Sequence, residues 1–173
     1  GNTYIAQGNY PEALKNHFLS LKIRQAIGHK QGIAYSYIGI GEIYYKQEKY
    51  PEALKYHLNA LKILEEIGNK SGIANSFMQL GIVQIQLHQH SEAQEYLNKA
   101  LQLSKEIRHK EEIKNSYSGL ASLDSAMGNY KAAYQHYKMS IINRDSLFNE
   151  DNDKKIIQSQ MTYDFEKKEA ATQ

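Results

Sequence analysis

Histidines, clustered serines and paired carboxylates are the side chains on which catalysis or metal binding by this chain would have to rest, because it has no cysteine. His88 and His90 could offer two imidazoles to one ion, but a zinc site takes three or four ligands and no acidic or thiolate group is spaced to complete it. Ser116, Ser118, Ser122 and Ser125 share one helical segment without the strand-to-helix elbow that exposes a nucleophile, and no Gly-rich phosphate loop accompanies them. The pairs Glu65-Glu66 and Glu111-Glu112 are adjacent, so on a helix they diverge by roughly 100° and read as solvated faces. His17 and His57, 40 residues apart, lie on the buried side of two helices and read as packed imidazoles with one hydrogen bond each. His29 and His109 share a turn position with Asn69 and suit a helix C-terminus by charge or cap. The reading is therefore of a fragment that is not an enzyme, with no catalytic, cofactor-binding or metal-binding residues.

The elements that carry these side chains follow from a repeat. Gly8-Asn9-Tyr10-Pro11-Glu12-Ala13-Leu14 returns as Glu48-Lys49-Tyr50-Pro51-Glu52-Ala53-Leu54, more loosely as Gly128-Asn129-Tyr130-Lys131-Ala132-Ala133-Tyr134, and faintly as Gln89-His90-Ser91-Glu92-Ala93, all on a 40-residue grid. A fixed period of this size marks a solenoid, in which each unit buries its apolar face only against its neighbours. Within 32–71, Ile33, Ala34, Tyr37, Ile40, Gly41 and Tyr44 recur at spacings of three and four, one face of a first helix, A. A polar stretch over 46–49 precedes Pro51 and Glu52, which suit the first turn of a second helix, B. Ala53, Leu54, His57, Leu58, Leu61, Leu64 and Ile67 form its buried face, and Gly68-Asn69 reads as a left-handed cap. The unit is a helical hairpin. Gly41, Gly81 and Ala121 are expected to face Ala13, Ala53, Ala93 and Ala133, small against small, so that the helices approach closely.

Charge and composition narrow the partners. The 21 basic and 19 acidic residues alternate, leaving a formal +2 and no basic stripe, which argues against nucleic acid. With 41% hydrophobic residues in 173, the chain can bury one core or a few repeats. No apolar run approaches the roughly 18 residues needed to span a bilayer, so no membrane contact is expected. The absence of cysteine fits a cytoplasm or a periplasm and leaves the compartment open. Both ends read as cut. Gly1 aligns with Gly41, Gly81 and Ala121, halfway along A helices, so the chain is expected to begin inside a helix as a piece of a longer protein, and the helix-forming pattern simply stops at Gln173.

The small-residue positions, the aromatics Tyr37, Phe77 and Tyr117, Gly41 and Gly81 after Ile40 and Leu80, Tyr44, Ala53 and Ala60 together resemble the tetratricopeptide repeat. The match is strongest over 32–71, good over 72–111 and looser over 112–150, where Ala121 and Asp124 replace Gly and Tyr; 1–31 would be a truncated first repeat. The period of 40 exceeds the commoner 34. The resemblance implies an all-α fold, a right-handed solenoid of antiparallel hairpins with a capping or linker helix over 151–173, and A helices lining a concave groove for a protein or peptide. Carried over, the inward positions are Tyr35, Ile38, Glu42, Tyr45 and Lys46 in the first full unit. The next two contribute Asn75, Met78, Gln79, Ile82, Ile85 and Gln86, then Asn115, Ser118, Ser122 and Ser125. Only Lys46 could serve a clamp for acidic peptide tails. Met78, Ile82 and Ile85 instead read as an apolar strip for a peptide anchor whose backbone Asn75 and Asn115 would hold, or as side chains packed on neighbouring helices.

The last segment, from Ser140-Ile141-Ile142 through Lys154-Lys155 to Met161-Thr162-Tyr163-Asp164-Phe165, resembles the join between repeats and output module in bacterial sensor histidine kinases and nucleotide cyclases. Ile157, Met161 and Phe165 make a stripe at i, i+4 and i+8, with Ile156 and Tyr163 on a flank. It suits a cap on the last repeat or a dimerising coiled coil. The expected role is a protein-binding or peptide-binding module, sensory or scaffolding, in a larger bacterial signalling protein. Two alternatives stand: an assembly spacer that oligomerises through its repeat ends or C-terminal helix, and the input domain of a full-length kinase or cyclase.

Overall fold

The computed structural model describes the backbone of residues 9–172 and the side chains of 9–149, Asn152 and Lys155. Among these residues there are seven helices: α1 Tyr10–Ala26, α2 Lys30–Lys46, α3 Tyr50–Glu66, α4 Lys70–Gln86, α5 His90–Glu106, α6 Lys110–Ala126 and α7 Tyr130–Thr172. The fold is the expected all-α solenoid. α2, α4 and α6 are A helices, and α1, α3, α5 and α7 are B helices. The expectation that the chain begins inside a helix lies outside the described residues.

One turn geometry makes the helices alike. The first six are each 17 residues long, and a three-residue turn separates each from the next. The middle turn residue is left-handed in all six, with φ from 55° at Arg108 to 77° at Gly128. After α1, Gly28 N–H donates to Gln25 O at 3.1 Å and His29 N–H to Arg24 O at 2.9 Å, and the same two bonds close every later turn. These are Schellman closures, which satisfy carbonyls that a helix end leaves open. Glycine holds three of the six positions; Glu48, His88 and Arg108 hold the others, at a backbone cost glycine would not bear.

The third turn residue then starts the next A helix. His29 Nδ1 accepts from Gly32 N–H at 3.0 Å, Asn69 Oδ1 from Gly72 N–H at 2.9 Å and His109 Nδ1 from Glu112 N–H at 3.3 Å. The two histidines thus cap helix N-termini, correcting the C-terminal role expected of them: an imidazole nitrogen three residues upstream reaches the same open N–H that an Asn oxygen does.

α7 departs from the pattern. It runs unbroken through position 151, so the segment expected as a separate C-terminal helix continues the last B helix. In the 40-residue register Phe148 stands where Gly28, Gly68 and Arg108 turn the chain, and a bulky aromatic resists positive φ. No Gly or Pro interrupts 130–173. The side chains of Ile156, Ile157, Met161, Tyr163 and Phe165 lie outside the described residues.

Packing between helices is set by one wedge position on each of α1, α3 and α5. Leu97, fully buried, fits where a Cβ on Gly81 would come within 2.6 Å of it and one on Gly119 within 2.5 Å. His57 occupies the equivalent place on α3 against Gly41, and His17 on α1 against Gly39. The glycines therefore admit a large side chain. Backbone atoms of Ala93 do approach Gly81, at 3.3 Å from that Cβ position, but the closer neighbour in each case is the wedge. The core is split accordingly. One cluster joins Ala34, Ile38, Ala60 and Leu64, and another joins Met78, Ile85, Ala93, Leu97, Ala100, Tyr117, Leu120 and Leu123.

His57 does not have the hydrogen bond expected of it: neither ring nitrogen meets a partner. Burial pulls its pKa down to about 4, and it lowers that of His17 in the same direction. A histidine held below its unfolded value contributes stability that is whole above about pH 6.5 and drains as pH falls toward about 4, at roughly 1.4 kcal/mol per pH unit. Replacing His57 by Leu, the side chain its counterpart Leu97 already has, should flatten the fall in Tm between pH 7 and pH 5. An unchanged slope in calorimetric scans would exclude His57 as its source. Arg108→Gly should raise stability by about 0.5–1 kcal/mol in urea unfolding; a loss would mean the Arg108 side chain outweighs its backbone strain.

Candidate groove on the A-helix face

The A helices bring most of the expected inward residues together. Glu42, Tyr45 and Lys46 of α2, Gln79, Ile82, Ile85 and Gln86 of α4, and Ser122 of α6 line one cavity of about 480 Å³. Met78, Ile82, Asn115, Ser118, Gly119 and Ser122 line an adjoining one of about 270 Å³. A third, about 750 Å³, runs on past Ile85, Gln86, Ser118, Ser122 and Ser125 to Tyr134 and Tyr137 of α7. Ser122 borders all three. It is exposed, and its hydroxyl donates to Ser118 O at 3.1 Å, satisfying its own helix.

Three expected residues are elsewhere. Ile38 is only 8% exposed and belongs to the first core cluster with Ala34 and Leu64, since its side of α2 meets α3. Tyr35 is exposed but borders none of these cavities. The Asn75 amide bonds with the Glu112 carboxyl on α6, so it is engaged inside the protein. The apolar strip is also mostly closed. Met78 and Ile85 are 6% and 8% exposed and sit in the second core cluster, with Ile82 packed against it and half open. α4 touches α6 directly, and that contact takes up two of the strip's three side chains.

The electrostatics of the groove centre on Glu42. Burial pushes its carboxyl up from the ordinary value, offset in part by Lys46 one turn on. No hydrogen bond or ion pair joins Glu42 to another described residue. Burial also raises the Tyr45 phenol, as does neighbouring Tyr50, while a side-chain hydrogen bond with Gln86 opposes them. The Tyr45 and Tyr50 rings lie 5.6 Å apart at 60°.

Sequence reading missed a part-buried pair at the far end. Asp124 Oδ2 lies 2.6 Å from His136 Nδ1, at the positions where the first full repeat stacks Tyr44 on Tyr56 with ring centroids 5.4 Å apart. The signal was present as two departures from the repeat in one register. It was visible only to a reader who knew that these positions touch. His88 and His90 have ring centroids 6.2 Å apart, and among the described residues no three metal-ligating side chains cluster. No helix among them is long and apolar enough to cross a membrane.

Stacked helical hairpins with an inward A-helix face define the helical-repeat scaffolds, which bind proteins or peptides and typically carry no catalysis. The tetratricopeptide repeat family model matches residues 1–66, 32–106 and 72–146, and the chain belongs to that family. Among solved structures it is similar to BtubC (BKLC) from P. vanneervenii, with TM-score 0.70 and 18% identity over 83% of this chain and 60% of that one. It is also similar to RapI in its apo form, with TM-score 0.59 and 22% identity over 84% of this chain and 66% of that one. The chain thus spans about two thirds or less of the length of these neighbours, and the likeness is one of fold. No curated protein matches.

Because Met78 is core, Met78→Ala should cost about 2–4 kcal/mol in denaturant unfolding. A cost below about 0.5 kcal/mol would put Met78 on the ligand side instead.

Proposed function

We propose that this chain is a non-catalytic recognition module that holds an extended segment of a protein partner in the cleft between α2, α4 and α6. The observation that carries this reading is the continuity of the cavities around Ser122, walled by amides, hydroxyls and Ile82, with Glu42 and Lys46 at the α2 end. Amides and hydroxyls of this kind suit peptide backbone, and the partly open Ile82 suits an apolar side chain. The family's role as a protein-interaction scaffold supports it.

In this reading the module is the sensory or scaffolding part of a larger bacterial signalling protein. α7 supports that context: at 43 residues it is about 64 Å long, extending the last repeat well past the length of the other helices. A spacer that self-associates is the second reading. It is favoured by Tyr134 and Tyr137, 63% and 56% exposed side by side on α7. Light scattering on the full chain and on one ending at Glu150 separates the two readings; a dimer in both forms favours the spacer.

Peptides selected from a random display library against the immobilised chain test the groove directly. Ser122→Tyr, which fills the groove from an exposed position, should weaken their binding at least about tenfold in fluorescence anisotropy without lowering Tm. Peptides that bind the variant as well as the parent would place recognition elsewhere.

A further inference from the structure

The half-buried Glu42 makes no hydrogen bond or ion pair with another described residue. Glu42 lines the 480 Å³ cavity, where the other walls are the Gln79 and Gln86 amides, the Tyr45 phenol, the Ser122 hydroxyl, the apolar Ile82 and Ile85, and Lys46 at the edge. It shares a helix face with Lys46 at i+4, a spacing at which an ion pair commonly forms, yet the two are not in ion-pair contact. Lys46 is exposed. The carboxylate therefore bears a desolvation cost that Lys46 offsets only in part, and a ligand cation arriving in the cleft would recover the rest.

The rest of the cavity fits the stem of such a cation. Ile82, half buried, offers an apolar wall one helix away from Glu42, and Tyr45 offers an aromatic one on the same helix. Arginine carries an aliphatic stem and a planar fork of donors, matching an apolar wall that leads to a carboxylate flanked by amide oxygens. In the later repeats the position of Glu42 is taken by Ile82 and Ser122, so the charge occurs once along the groove and fixes a register. From this we infer that the Glu42 cavity is a subsite for a basic side chain, an arginine in particular, of the bound peptide. The inference rests on the groove reading above and adds to it the charge and the position of one anchor.

N-acetyl-arginine amide and its neutral isostere N-acetyl-citrulline amide, titrated into the ¹⁵N-labelled chain, are the probes. The arginine probe should shift the Ile82 and Gln86 signals and bind about fivefold to tenfold tighter than citrulline at low salt. That preference should vanish in Glu42→Gln and widen in Lys46→Met, which removes the competing cation from an exposed site. The comparison on the parent chain does not depend on either variant folding. Equal shifts by both probes at these residues would overturn the cation subsite and leave the peptide groove standing. Shifts confined to other surfaces, or none at all, would also overturn it, and the display selection would then decide the groove by itself.

Discussion

Everything in this molecule hangs on a three-residue turn whose middle residue is left-handed. Because the turn recurs every 20 residues with the same two closing bonds, each of the first six helices is held to the same length. The wedges of α1, α3 and α5 then meet glycines of the A helices without any long-range signal to place them. Local closure thus sets global register, as expected where each unit contacts only its neighbours. The one place where the turn fails, at Phe148, is where the repeats give way to the long arm of α7.

Between the repeats, side chains vary in compensating pairs. Arg24, Leu64 and Ser104 occupy one position on successive B helices, and Gly32, Gly72 and Glu112 the facing position on the following A helices. A Cβ on Gly32 would meet the Arg24 side chain at 2.8 Å, and one on Gly72 would meet Leu64 at 2.6 Å. Only where the B residue shrinks to Ser104, its hydroxyl turned back onto Ala100 O at 2.6 Å, does the A residue grow to a glutamate. Glu112 is nonetheless an uneasy occupant. Burial raises its carboxyl, and Oε2 lacks a partner while Asn75 serves the group from α4. The exchange of Tyr44 and Tyr56 for Asp124 and His136 follows the same logic with a hydrogen bond in place of ring stacking. Space in such a stack is conserved by pairs, since interiors tolerate neither voids nor overlap.

The groove inherits this variation on its open side. Towards α2 it carries Glu42, Tyr45 and Lys46, and towards α6 it offers serines. Polarity therefore changes along its length while the backbone does not. A uniform scaffold with a graded lining can fix the direction of a bound chain, because opposite ends present different chemistry to the same peptide backbone.

Periodicity by itself determined the hairpins, the solenoid, the left-handed cap at Gly68 and most of the A and B faces, because each depends on residues close in sequence. Leu58 and Ile67, expected on the buried B face, are exposed, and the left-handed Glu48, His88 and Arg108 were not legible. It also placed most of the cavity-lining side chains, from Glu42 to Ser122. Tertiary structure decided what depends on which helix meets which: that Ile38, Met78 and Ile85 turn into the core, that Asn75 is taken by Glu112, and that glycines admit His57 and Leu97 as wedges. It also decided that His29 and His109 start helices instead of ending them, since one turn residue adjoins both and only geometry shows which N–H it reaches. The division has a physical cause. A repeat encodes the face a residue occupies, while the crossing of neighbouring helices sets whether that face is covered.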